Sequence, residues 1–168
     1  RWDGVLPVIT GQKISTYGQP YRVVITPDGA LGLTAGSGAG NRLDRDALTV
    51  VDLKSQPVRA VDYVALGAIP ESFEISPDGR WVAAVVMDGS NLPPNDPNHS
   101  NGGQLIMLER SGKSFRVRQS IETGRIPEGV AFTRDGRYVV VQCHADSELR
   151  IYELRRGKTR DTGQRVLV

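Results

Sequence analysis

Two histidines, one cysteine and a crowd of side-chain oxygens between residues 88 and 103 are the groups in this 168-residue sequence best suited to chemistry. The stretch from Asp88 to Gly103 carries Asn91, Asn95, Asp96, Asn98, His99 and Asn101 among prolines and glycines. Oxygen donors of this kind hold calcium when a loop converges them, but the spacing does not match an EF-hand, and a solvated loop is the simpler account. Asn98, His99 and Ser100 also form a glycosylation sequon, which acts only in a eukaryotic secretory setting. His99 and His144, with Asp146 and Cys143 close to the latter, have the residue types for zinc or for acid–base work near neutral pH. No helical HxxxH spacing supports a metal, so none is assigned and an ordinary polar rim is preferred. Cys143 and His144 are consecutive, and on a strand they point to opposite faces, which argues against a nucleophile and base pair.

These groups fall in the gaps of a pattern written three times: QPYRVVITPDGALGLTA from Gln19, IPESFEISPDGRWVAAVV from Ile69 and IPEGVAFTRDGRYVVVQ from Ile126. Pro20, Pro70 and Pro127 each stand eight residues before Asp28, Asp78 and Asp135. Between them Val23 and Ile25, Phe73 and Ile75, Val130 and Phe132 alternate with the period of a strand face. The Asp-Gly pairs read as tight turns, and a second apolar run follows each. A third strand closes at Val51-Asp52, Leu108-Glu109 and Tyr152-Glu153, and the first two acids precede Gly67 and Gly124 by fifteen residues. The same step from Asp3 lands on Gly18.

A repeat of four short strands is the signature of a β-propeller blade. The expected fold is therefore all-β, an incomplete β-propeller of three four-stranded blades plus one N-terminal outer strand. Residues 1–18 supply that outer strand, with its strand proper at 12–17. Blades follow at 19–67, at 68–124 with a long insertion and at 125–168, all parts of one propeller domain. Three blades cannot close a ring, so the rest of the propeller, in the same or a second chain, is an expected partner. Trp81 to Met87 is so continuously apolar that a strand buried on both faces is predicted.

Length varies in one place only. From turn aspartate to closing acid the spacing is 24 residues for Asp28 to Asp52, 31 for Asp78 to Glu109 and 18 for Asp135 to Glu153. The insertions fall at about 36–46, with Arg42 and Asp44, and at 88–103, on the side where the chain enters the next blade. Variable loops on a rigid scaffold are where binding concentrates. Arg42, Asp44, Asp88, Asn91, His99, His144 and Asp146 are candidate ligand or partner contacts on that face.

The opening proline, the apolar alternation, the Ser76 to Gly79 turn of sequence SPDG and the apolar strand after it resemble the YVTN and lactonase-like propeller repeats. The resemblance covers nearly the whole chain and implies the fold more than a reaction. In the lactonase branch an arginine and a histidine commonly follow the opening proline. The matching positions are Tyr21 and Arg22, Glu71 and Ser72, Glu128 and Gly129, with no histidine at any of them. The resemblance thus leaves lactone hydrolysis to blades outside this sequence, and it implies a periplasmic or extracellular location.

Aligning the repeats brings out three more features. Glu71 and Glu128 take equivalent places at the mouth of the first strands, where two carboxylates suit a cation or a cationic ligand group, although paired surface acids are usually only solvated. Glu74 replaces Val24 and Ala131 of the other repeats, which asks for a salt bridge to a neighbouring blade or, alternatively, a carboxylate facing the channel. Arg110, Lys113, Arg116 and Arg118, then Arg155, Arg156, Lys158 and Arg160, fill the hairpins joining strands three and four. A basic edge of this kind meets an acidic partner, phosphate or anionic lipid, or simply keeps edge strands from pairing, and the second role is preferred.

Composition narrows the classes. Apolar residues make up 39% and aromatics 6%, with 19 glycines, as short strands and many turns require. A net charge of +2 is too small to call for nucleic acid. One cysteine forms no intrachain disulfide, and without CxxCH there is no c-type haem attachment, so no cofactor is assigned. No apolar run is long enough to span a membrane as a helix. The sequence opens at Arg1 without a signal peptide, as expected of a mature or excised piece. The sequence favours a binding scaffold for a protein or small ligand. The alternative is part of an enzyme, a lactonase-like hydrolase or the propeller subunit of a redox enzyme.

Overall fold

The Thr/Ser-x-Asp-Gly turns explain why the strands begin and end where they do. In the computed structural model, which describes residues 4–36 and 43–168, each turn hydroxyl does two jobs. Thr26, Ser76 and Thr133 each donate to the Oδ1 of the aspartate two residues on, and each accepts the backbone N–H of Leu31, Trp81 or Tyr138. The same aspartate Oδ1 caps the N–H of Ala30, Arg80 or Arg137. Gly29, Gly79 and Gly136 take φ of 63°, 71° and 68°, which a side chain would resist.

Around these turns the chain folds into three antiparallel four-stranded meanders. The first contains β1 (Pro20–Ile25), β2 (Leu31–Gly36), β3 (Arg45–Asp52) and β4 (Arg59–Ala68). The second contains β5 (Pro70–Ile75), β6 (Trp81–Val86), β7 (Gln104–Ser111) and β8 (Ser114–Glu122). The third contains β9 (Pro127–Phe132), β10 (Tyr138–Cys143), β11 (Glu148–Arg155) and β12 (Lys158–Leu167). A short 3-10 turn, His144–Asp146, joins β10 to β11. The first strands lie together, β5 against both β1 and β9.

Two hydrophobic cores hold the sheets face to face. Val82, Ala84 and Val86 of β6 join Leu33, Leu48 and Val50 of the first sheet in one core. Trp81, Ala83 and Val85, the alternate residues, join Val139, Val141 and Tyr152 of the third sheet in the other. All six residues of β6 are buried, so this strand is covered on both faces, as its apolar run predicts. At about 1.5–3 kcal/mol for each large apolar side chain buried, these cores are the main source of stability.

Residues 12–17 do not form the expected outer strand. A strand needs a neighbour to complete its hydrogen-bond ladder, and the described residues offer this segment none. It runs instead across the free face of the first sheet, where the Tyr17 N–H donates to Thr49 Oγ1 at 3.0 Å and the Tyr63 hydroxyl to the Ser15 carbonyl at 3.2 Å. Beyond its cover Tyr21, Val23, Ile25, Val61 and Tyr63 stay exposed. Two of the three repeat-end glycines, Gly18 and Gly124, have a packing cause. A Cβ at Gly18 would lie 2.1 Å from Asp46 Oδ2, and one at Gly124 would lie 2.4 Å from Asp146 Oδ2. Asp3, fifteen residues before Gly18, lies outside the described residues.

Candidate functional site at the channel mouth

Each blade opens with the same irregularity. Pro20 pairs with Gly36 while Arg22 pairs with Ala35, which leaves Tyr21 as an extra, bulged residue. Glu71 is extra between Pro70 and Ser72, and Glu128 between Pro127 and Gly129. A β-bulge re-aims the residue it extrudes and recurs next to active sites. Here it recurs at one level of three adjacent first strands, giving a row of Tyr21, Glu71 and Glu128. The proline causes it, since it has no N–H to offer the ladder.

The three side chains interact. The Tyr21 hydroxyl donates to Glu71 Oε2 at 3.1 Å. Burial of the phenol, then the Glu71 carboxylate beside it, push Tyr21 up to about 12, and the Glu128 charge adds to the rise. Glu128 Oε2 in turn lies 3.8 Å from His144 Nδ1. Next along β1, the Arg22 guanidinium donates to Glu74 Oε2 at 2.6 Å and to Ser72 Oγ at 3.2 Å, and lies over the Phe73 ring. Glu74 thus makes the neighbouring-blade salt bridge predicted for it, and its other oxygen accepts the Ile75 N–H at 2.9 Å. Tyr21, Arg22 and Ser72 join this site without being singled out by sequence as contacts, because the bulge and the cross-blade pairing that place them are long-range.

The variable loops come to the same rim. The Ile69 N–H donates to the Asp44 carbonyl, and the Asp88 N–H to that of Ala68. Ser90 Oγ donates to the Met87 carbonyl and accepts the Ile126 N–H, while the His144 N–H donates to the Ile126 carbonyl. Ile69 and Ile126 hold φ of 54° and 49°, a left-handed conformation that β-branched residues resist, at a cost of about 1–3 kcal/mol. The bonds from Ile69 to Asp44 and from Ile126 to Ser90, which cross from one blade to the next, keep them there.

The candidate residues are used in different ways. His99 Nδ1 lies 2.8 Å from the Leu92 carbonyl, so its ring braces its own loop. Asn91 Oδ1 is buried in that loop with no hydrogen-bond partner. Asp146 accepts the Arg125 N–H and Nε and an Arg150 Nη2, tying the entry of the third blade to the 3-10 turn. Burial alone raises the Asp146 carboxyl, but the Arg125 hydrogen bonds bring it below its ordinary value. Arg42 lies outside the described residues. Cys143 is fully buried, its thiol pushed up by desolvation and 3.6 Å from Thr123 Oγ1, so it is packing rather than nucleophile. Among the described residues no three His, Cys, Asp or Glu side chains gather as a metal site.

No family model and no curated protein matches the sequence. Solved structures do resemble the chain. A 6-phosphogluconolactonase candidate from Bacteroides fragilis superposes with a TM-score of 0.70 at 16% identity, over 89% of this chain and 39% of its own. The periplasmic gluconolactonase of Pseudomonas aeruginosa gives 0.66 at 19% identity, over 89% and 40%. The β-propeller domain of Cps50 (Swd1) from Myceliophthora thermophila gives 0.61 at 14% identity, over 88% and 40%. The fold is a β-propeller segment. The propeller likeness extends to lactonase-like proteins, and this segment spans about two fifths of the length of these structures. No helix among its described residues is long and apolar enough to cross a membrane.

Proposed function

We propose that this segment belongs to a periplasmic propeller that binds a small molecule or a protein at the channel mouth. The observation that carries the reading is the row of three β-bulges that sets Tyr21, Glu71 and Glu128 side by side. Two carboxylates and a phenol held neutral offer acceptors to a cationic or polyhydroxylated group, and Arg22 and Glu74 form the next layer. Asp44, Asp88, Asn91, His99, His144 and Asp146 belong to the loops around it. The remainder of the propeller, in the same or another chain, completes the ring. In the full protein, shortening the Asp88–Gly103 loop abolishes ligand capture while the fold survives, and Glu71→Gln with Glu128→Gln weakens it at least tenfold. Retained capture in both removes this face from binding.

A second reading, an enzyme of lactonase type, is favoured by one contact and one likeness. His144 Nδ1 and Glu128 Oε2 stand 3.8 Å apart, an imidazole and a carboxylate near enough to face one substrate, and gluconolactonases share the fold. Under it, His144→Ala lowers kcat of the full protein on a sugar lactone while ligand binding persists.

A further inference from the structure

On the opposite face, where the Asp-Gly turns lie, the first two blades match their charges across the junction. Arg110 of the β7–β8 hairpin reaches Asp28 at 2.8 Å, and Lys113 reaches Asp52 at 2.6 Å. The same positions at the second junction do not match. Lys158 follows its hairpin glycine as Lys113 does, and Glu109 of β7 pairs with the first residue of β6 as Asp52 of β3 pairs with the first residue of β2. Glu109, however, is already taken: Arg80 donates to Oε1 through Nε and Nη2, and Arg118 donates to Oε2. In the first blade Ala30 stands where Arg80 does, so no such competitor exists there. Lys158 and the neighbouring Arg156 therefore make no ion pair among the described residues, although Glu153 borders both and Asp78 and Asp135 border Arg156.

The result is an open cleft of about 600 Å³ between the second and third blades, where Arg80, Arg118, Arg156 and Lys158 surround a single carboxylate. Its back wall is a reciprocal bond between Gln119 and the Thr159 backbone, 2.7 and 3.2 Å, and its floor is Trp81 under the Arg80 guanidinium. Arg80 and Arg118 each use only part of the five-donor guanidinium fork on Glu109, leaving N–H groups for a second acceptor. We propose that this cleft binds a phosphate group carried by a small molecule. It is separate from the channel mouth and does not depend on the reading given for that site.

The test is titration calorimetry of the full protein with pyrophosphate, run also on Arg156→Asn with Lys158→Gln and on Lys113→Gln. Arg156 has φ 51°, which asparagine accepts, and both side chains are exposed, so unchanged melting is expected. The paired variant loses at least tenfold in affinity, Lys113→Gln binds as the unmodified protein does, and added salt weakens binding. No heat with pyrophosphate, or equal affinity in the paired variant, overturns the proposal. So does sedimentation with phosphatidylglycerol vesicles that the paired variant loses while pyrophosphate gives no heat, because the phosphate would then be a lipid headgroup's.

Discussion

Tyr21 shows how one side chain reports on the whole channel mouth. Although the residue is 60% exposed, partial desolvation of its phenol and the Glu71 carboxylate it faces push it up to about 12. A group raised in the folded state stabilises it fully below the ordinary value of 10.0 and loses that contribution as pH rises toward 12. Ultraviolet titration is expected to show two late tyrosines among the five, Tyr21 and the buried Tyr152, and Glu71→Gln to move only Tyr21 earlier. A tyrosine set that titrates together near 10 would mean the three bulged residues do not meet. Glu71 and Glu128 were legible from the repeat alignment, and so was the need of Glu74 for a cation. Tyr21 was not, since nothing local distinguishes a bulged tyrosine from a strand tyrosine. His99 and Asp146 look like site chemistry in the sequence, yet their bonds brace the loops that carry them.

At the scale of elements, the turns were the most legible part, since hydroxyl, aspartate and glycine act within five residues of one another. Their chemistry sets the acid side of stability. Thr26, then the Ala30 N–H and Arg110, hold Asp28 down to about 2. Thr133 lowers Asp135, Lys113 lowers Asp52 and Arg80 lowers Glu109. Carboxylates depressed in this way stabilise the fold above their ordinary values and stop doing so as pH falls through the depressed ones. Melting temperature should therefore fall from about pH 4 toward pH 2, and Asp28→Asn should flatten that slope. The repeat-end glycines test a different element. Gly124→Ala forces a Cβ onto Asp146 and Cys143, with an expected loss of about 1–3 kcal/mol in denaturant unfolding. An unchanged midpoint would show that this junction has slack. The strand expected at 12–17 illustrates the limit of such reading. Its pattern of residues was suitable, but a ladder depends on a partner that pattern alone does not supply.

For the whole molecule, the open faces matter most. Val23 and Ile25 are 70% and 58% exposed on the first sheet, a poor arrangement for a lone particle in water. Native mass spectrometry of the purified protein is expected to show a longer chain or a second polypeptide covering that face. Ile25→Glu should release a second polypeptide if that is the cover, without disturbing the two cores. A monomer of 168 residues, folded and stable, would overturn the open-ring reading. Within the segment, Leu108→Ala in the first core is expected to lose about 2–5 kcal/mol.

The two-faced burial of β6 decides how this segment can come apart. Detaching either outer blade uncovers half of that strand, so the middle blade cannot survive as a unit after its neighbours leave. Nearest-neighbour coupling of this sort makes the blade a poor unit of unfolding and the pair of interfaces the real one. The molecule should resist proteases until it opens at a junction, and then lose the middle blade together with whichever neighbour departs.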